Sequence, residues 1–440
     1  MIRRAGAALA AAAALAAGVL GSAGAAHAAP GPAGAPQYWF DDWQVPALWA
    51  DGARGQGITI AEIDTGVNAA LPELRGRVVT GTDLGQPGDG QTDRELDEFG
   101  HGTAMASLMV ARSGLFGITG LAPRAKVLPI AVPLEGTTDA DRPDRLPAAI
   151  RYAADHGAKV ISMSLGERRS PDRDTVSCPA DEQDAIFHAL RKGAVVVAAV
   201  GNTGQAHETV VDPGVCLGVV SVGAVDSSGT VAPFSGRARY LTLTAPGVGI
   251  ASLSRVAGRA YSGAGTSQAT ALTAAGIALV WSRFPRLTGA QVVARILATL
   301  DGRNATPDRA YGYGRLDPYQ AVTATLPARL PNPVYDAAAP FLAHSAGLAT
   351  ASLGAAPPPA AGPRADTGRY AVHKPSRWLT PSVLIGAGAA AAGLVLLAAL
   401  LAGAAIARRR RPVPDASLPA AGADPQLPGA RVLSSPPDQA

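Results

Sequence analysis

Between residues 58 and 325 the chain alternates short apolar runs with helical stretches, and that alternation leaves few architectures open. The runs Ile58 to Ile63, Lys126 to Val132, Ala158 to Met163, Ala194 to Val200 and Val219 to Val225 are each six or seven residues long. Strands of this kind are buried on both faces, as in a parallel sheet. Helical stretches at Leu146 to His156 and Ala180 to Lys192 lie between them. The expectation is an α/β fold with three layers, α/β/α, around a mostly parallel central sheet. In such sheets sites form outside the carboxyl ends of the strands. Asp64 directly follows the first run, and Asn202 follows the run at 194–200.

Four short signatures occupy these places or the starts of helices. They are Ala61-Glu62-Ile63-Asp64-Thr65-Gly66, His101-Gly102-Thr103, Ala198-Ala199-Val200-Gly201-Asn202 and Gly265-Thr266-Ser267-Gln268-Ala269. His101 opens the apolar stretch Ala104 to Val110, and Ser267 opens Ala269 to Val280, so both are expected at helix N-termini. There the main-chain N–H groups are free and the helix dipole favours developing negative charge. The second stretch is apolar nearly all round, so its helix is expected inside the core. A serine hydroxyl becomes a useful nucleophile only beside a base showing the correct nitrogen. The set supplies Ser267 as nucleophile, His101 as general base and then acid, and Asp64 as the orienting carboxylate. Asn202 and the N–H of Ser267 serve as oxyanion donors. Taken singly, each residue has an ordinary explanation as a cap, a turn or a surface helix start. The four contexts in this order point to peptide-bond cleavage through an acyl-enzyme. Other templates fit poorly. Ala269 stands where a Gly-x-Ser-x-Gly elbow needs glycine, and the Asp–His–Ser order differs from α/β-hydrolases and chymotrypsin. Gly263-Ala264-Gly265 is too short for a dinucleotide fingerprint, and the chain has no P-loop.

These motifs resemble the subtilisin-like serine protease family over about residues 58 to 325. The resemblance implies a subtilisin-like fold and endopeptidase activity on polypeptide substrates. Ser162-Met163-Ser164-Leu165-Gly166 is similar to the family's Ser-Leu-Gly segment, which implies that Ser164, Leu165 and Gly166 bind substrate. Ala271 departs from the proline that many members carry four residues after the nucleophile. As alanine is a good helix former, a small effect is expected. The layout is also similar to mycosins, the membrane-anchored subtilases associated with type VII secretion. The shared features are a Trp-containing extension (Trp39, Trp43, Trp49), a closing Tyr311-Gly312-Tyr313-Gly314-Arg315-Leu316-Asp317-Pro318 stretch, a Pro-rich stalk and one anchor. That likeness implies a partner in a membrane-embedded secretion complex, or a mainly structural role within it.

The ends of the chain place it. Residues 1–28 read as a signal peptide, with Arg3 and Arg4, an apolar stretch from Ala7 to Leu20, and the small-x-small site Ala26-His27-Ala28. Residues 29–57 form an extension too short for a core of its own and expected to wrap the catalytic domain, 58–325. Residues 326–381 are rich in Pro, Ala and Gly and read as a stalk. Residues 382–407 are apolar and long enough for one transmembrane helix, and Arg408 to Arg411 mark the tail 408–440 as cytoplasmic. Those four arginines match the whole formal charge of +4, so nothing suggests a nucleic-acid surface. An exported chain with two cysteines favours a Cys178–Cys216 disulfide. Neither has partners at zinc spacing, and no metal or cofactor is expected. The acidic residues Asp83, Asp89, Asp93, Glu95, Asp97 and Glu98 match no defined calcium loop and read as a solvated segment. His156, His188 and His207 lie in helical or loop contexts without partners and, with His344 and His373 in the stalk, read as surface residues.

Overall fold

The structure is a computed structural model describing residues 37–95, 98–114, 116–133, 145–169, 178–204 and 210–351. The segments 1–28, 382–407 and 408–440 lie outside these residues. Among the described residues no helix is long and apolar enough to cross a membrane.

The first long strand, β1 (Thr59–Asp64), lies inside the sheet, and its last five residues are all buried. It pairs in parallel with β3 (Lys126–Ala131) on one side and with β4 (Val160–Met163) on the other. Beyond β3 comes β2 (Thr82–Asp83). Beyond β4 come β6 (Val195–Ala199), β8 (Val219–Val225) and β9 (Leu243–Pro246). All seven strands are parallel, in the order β2-β3-β1-β4-β6-β8-β9. The chain reverses its direction of travel across the sheet beside β1, and such a switch point leaves a crevice at the strand's carboxyl end. Asp64 is the residue there.

Alternate strand residues feed two cores. Ile60, Val127, Val160 and Val197 face α3 (His101–Val110) and α6 (Thr266–Arg283). Ala61, Ile63, Leu128 and Ile161 face α4 (Leu146–Asp155) and α5 (Ala180–Arg191). This is the expected three-layer arrangement. Every residue of α6 from Thr266 to Ser282 is buried, in keeping with its largely apolar sequence. Two small antiparallel pairs lie outside the main sheet: β5 (Glu167–Arg169) with β7 (Val210–Asp212), and β10 (Ile250–Leu253) with β11 (Ala260–Gly263).

The described part of the extension, residues 37–57, packs onto the domain. Its helices α1 (Tyr38–Asp42) and α2 (Val45–Ala50) put Trp39, Trp43 and Leu48 into the core shared with α3. The Trp49 indole donates to Leu121 O (3.0 Å), and the Gln37 amide pairs with both main-chain groups of Thr119 (3.0 and 3.1 Å). At the other end, after α7 (Gly289–Ala298) and α8 (Pro318–Thr323), the structure differs from the extended stalk. Part of that segment forms α9 (Pro333–Ala351), and its first turns dock on the domain. Asn332 donates to Ala290 O (2.7 Å), Tyr335 donates to Ala194 O (3.3 Å), Ala338 is fully buried, and Phe341 stacks on Phe187. Tyr335, Ala338 and Leu342 recur at helical spacing, a stripe the Ala-rich composition conceals. Cys178 and Cys216 form the expected disulfide.

Candidate active site

Asp64 ends β1 and His101 begins α3, and the two meet above the crevice. His101 Nδ1 lies 2.8 and 3.0 Å from the Asp64 carboxylate oxygens, and both side chains are essentially solvent-free. Asp64 Oδ1 also accepts the N–H of Thr65 (2.8 Å). This fixes the tautomer, with the proton on Nδ1 and Nε2 left as the basic nitrogen.

The start of α3 is held by side chains from elsewhere. Its N-cap, Gly100, has φ +68° and no side chain to cap with. The first three N–H groups go instead to Glu95 Oε2 (from His101, 2.5 Å), Thr65 Oγ1 (from Gly102, 2.8 Å) and Asp93 Oδ2 (from Thr103, 2.8 Å). Asp93 further accepts from the hydroxyls of Thr65 (2.8 Å) and Thr103 (2.6 Å) and from the N–H of Glu95 (3.1 Å). Gly102 is required here because a Cβ would lie 2.2 Å from Gly66 O. The acidic segment is therefore not simply solvated. Asp83, Asp93 and Glu95 are buried, with Asp83 paired to Arg94 and the other two holding the helix that carries His101. Asp89 stays outside this network, accepting from the N–H of Gln91, and Glu98 is exposed and paired with Arg259. Asp97 lies outside the described residues. Burial of the His101 imidazole works against its charged form, but Asp64, with Glu95 and Asp93 behind it, outweighs this and raises its pKa above the ordinary value.

Ser267 is the second residue of α6, and its N–H belongs to the helix's unpaired first turn. Its hydroxyl donates to Ser164 O (2.8 Å), while the Ser164 hydroxyl donates to Ser267 O (3.0 Å). Ser164 lies just beyond β4, the neighbour of β1, so this clasp brings Ser267 to the same edge of the sheet as Asp64. The hydroxyl is not turned toward the base: His101 Nε2 is buried and makes no hydrogen bond among the described residues. Ligand-free sites often show such loose geometry, which tightens only when substrate binds. Asn202 follows β6. Its Oδ1 accepts from the N–H (2.8 Å) and hydroxyl (2.9 Å) of Thr266, leaving Nδ2 as a donor beside the start of α6. Leu165 turns into the core below α4 and α5, and Gly166 leads into β5.

Sequence reasoning missed Thr65, Asp93 and Glu95 as supports of His101, and Ser164 as the partner of Ser267. Their spacing carries no motif, since side chain-to-backbone bonds between distant segments appear only once the chain is folded. His156 and His188 are not without partners: His156 stacks on Tyr152 and bonds its carbonyl oxygen, and His188 pairs with Asp155. His207 and His373 lie outside the described residues.

The pattern of the Subtilase family matches residues 55–314. Mycosin-3 of Mycobacterium tuberculosis (strain ATCC 25618 / H37Rv) is 31% identical over 427 residues, covering 83% of each chain. The solved MycP3 protease from the type VII (ESX-3) secretion system is 31% identical with a TM-score of 0.58, over 66% of this chain and 89% of that one. A chain of the periplasmic assembly from the ESX-5 inner membrane complex is 25% identical with a TM-score of 0.57, over 74% and 89%. With its parallel sheet and these relatives, the chain belongs to the subtilase family: it is a subtilisin-like serine protease related to the mycosins of type VII secretion.

Proposed function

We propose that this protease is a membrane-tethered endopeptidase on the extracytoplasmic side, working through Ser267, His101 and Asp64 beside a type VII secretion complex. The observation that carries the catalytic part is the buried His101–Asp64 pair at the start of α3, a helix that packs against α6, which carries Ser267, with Asn202 anchored through its oxygen to the first residue of α6. On substrate binding the Ser267 hydroxyl leaves Ser164 O, gives its proton to His101 Nε2 and attacks the peptide carbonyl carbon. The imidazolium is stabilised by Asp64, and the oxyanion by Asn202 Nδ2 and the N–H of Ser267. Proton return to the leaving amine breaks the C–N bond, and water, activated by the same imidazole, then releases the acyl group. Ser164 to Gly166 border the substrate strand. The apolar segment 382–407 anchors the chain, and the likeness to a chain of an inner membrane complex supports a secretion-complex partner.

A second reading, a mainly structural subunit, is favoured by one observation: the nucleophile rests in the Ser164 clasp, away from its base. Peptide-library cleavage and fluorophosphonate labelling of the full chain, compared with Ser267→Ala, test the first reading. Labelling of both proteins alike, or of neither, would refute it. Secretion and substrate processing that both persist in cells carrying Ser267→Ala would establish the second.

A further inference from the structure

Each hydroxyl of α6 has an acceptor. Thr266 donates to Asn202 Oδ1 (2.9 Å) and Ser267 to Ser164 O (2.8 Å), while Thr270, Thr273 and Ser282 donate to carbonyl oxygens of their own helix (2.8 Å each). Gln268, directly after the nucleophile, differs. It is 3% exposed, and its Oε1 is buried without a hydrogen-bond partner among the described residues. An unpaired buried amide oxygen lowers stability, and an apolar side chain of the same length would fill the place without that loss. An amide kept there calls for a functional account.

Gly265 shows what the amide faces. Its N–H donates to Gly247 O (2.8 Å), which fixes the residue just before α6. A Cβ added to Gly265 would meet Gln268 Oε1 at 2.8 Å, Asn202 Nδ2 at 3.5 Å and the Ser267 nitrogen at 3.7 Å. The glycine therefore keeps open a small space on which three polar groups converge. Two of them, Asn202 Nδ2 and the Ser267 N–H, are the oxyanion donors of the proteolytic reading. The third is the unpartnered amide.

We propose that Gln268 is a further catalytic residue whose side-chain amide is a third donor to the oxyanion. A half-turn of the terminal amide exchanges Oε1 for Nε2, which carries two N–H donors. With its oxygen inward the amide dipole opposes negative charge in the space beside Gly265, and with Nε2 inward it favours it. Charge developing on the substrate carbonyl thus selects the second orientation. The oxygen left unpaired in the resting enzyme belongs to a group aimed at a partner that exists only during the reaction. Its place next to Ser267 on an enclosed helix keeps this donor in register with the nucleophile. A hydrogen bond to a charged group, converted to rate, is worth about ten- to a hundredfold. The inference rests on the proteolytic reading above.

The test compares the wild-type full chain with Gln268→Met, an apolar side chain of similar length, and with Gln268→Leu should the first fail to fold. For a peptide that the wild type cleaves, the readings are kcat, KM, and the affinities of the matching peptide aldehyde and peptide alcohol. The aldehyde carbon takes up the Ser267 oxygen and sets its own oxygen in the oxyanion space, whereas the alcohol binds without reacting. In Gln268→Met, kcat and aldehyde affinity should each fall about ten- to a hundredfold, while KM and alcohol affinity stay within about twofold. Tm should be no lower than in the wild type, because an unpaired oxygen has left the core. A kcat and an aldehyde affinity both within about twofold of wild type would overturn the inference. So would equal losses for aldehyde and alcohol, or a lowered Tm accompanying the loss of turnover, either of which marks a structural role. Fluorophosphonate labelling of the wild type separates the two readings. If it is labelled and the variant matches it in every reading, the inference alone falls. A wild type that takes up neither fluorophosphonate nor aldehyde sinks the proteolytic reading, and the inference with it.

Discussion

Replacing Asp93 by Ala removes the carboxylate that holds the start of α3. Four donors lose their acceptor: the N–H groups of Glu95 and Thr103 and the hydroxyls of Thr65 and Thr103. The hydroxyls can turn elsewhere, but the N–H groups cannot. A buried unpaired donor costs about 1–3 kcal/mol, so the two together cost about 2–6 kcal/mol. Removing a desolvated acid offsets part of this, because burial raises the Asp93 pKa despite its four donors. A net loss of about 3 kcal/mol is expected, which for a domain of this size lowers Tm by roughly 6–12 °C. Because His101 is the first residue of that helix, the imidazole moves with it, and a displacement approaching 1 Å costs about a hundredfold in turnover. The loss should fall on kcat more than on KM. Thermal unfolding of the full chain and steady-state cleavage of a peptide measure both effects. A Tm within about 1 °C of wild type, with kcat/KM within about twofold, would refute the assignment of Asp93 as a support of His101.

The acid limb of kcat/KM against pH should have its midpoint above about 6.5, because the carboxylates around His101 raise its pKa. A midpoint at or below that value would contradict the electrostatics described. The same shift is a stability term: with a folded-state pKa above the unfolded one, His101 contributes stability that is fully present below about pH 6.5 and is lost as pH rises through the folded value. Asn202→Ala should cost about 10²–10³ in kcat with little change in KM, and an effect on KM alone would remove it from the oxyanion site. Deleting residues 29–57 strips Trp39, Trp43 and Leu48 from the core, each worth about 1.5–3 kcal/mol, so the truncated chain should fail to fold. A soluble, active truncation would show that the extension is dispensable.

The central strands were legible because each is buried on both faces and therefore apolar with little interruption. Short elements were not: β2 has two residues, and β9 reads Leu-Thr-Ala-Pro, too brief for a period to show. The His101–Asp64 meeting was legible from motif order alone. The caps of α3 were not, because Asp93 and Glu95 reach a helix several residues on only after the intervening chain has turned back. The docked turns of α9 were hidden in the same way, since Tyr335 and Ala338 fall within a segment whose overall composition resembles a linker.

The helix that carries Ser267 is enclosed along nearly its whole length. A rod gripped on every side cannot tilt or slide by a fraction of an ångström without opening voids in close-packed surroundings. On the proposed mechanism, accommodation of different substrates at this serine is thus confined to torsion of a single side chain, while any larger adjustment falls to the loops that frame the cleft.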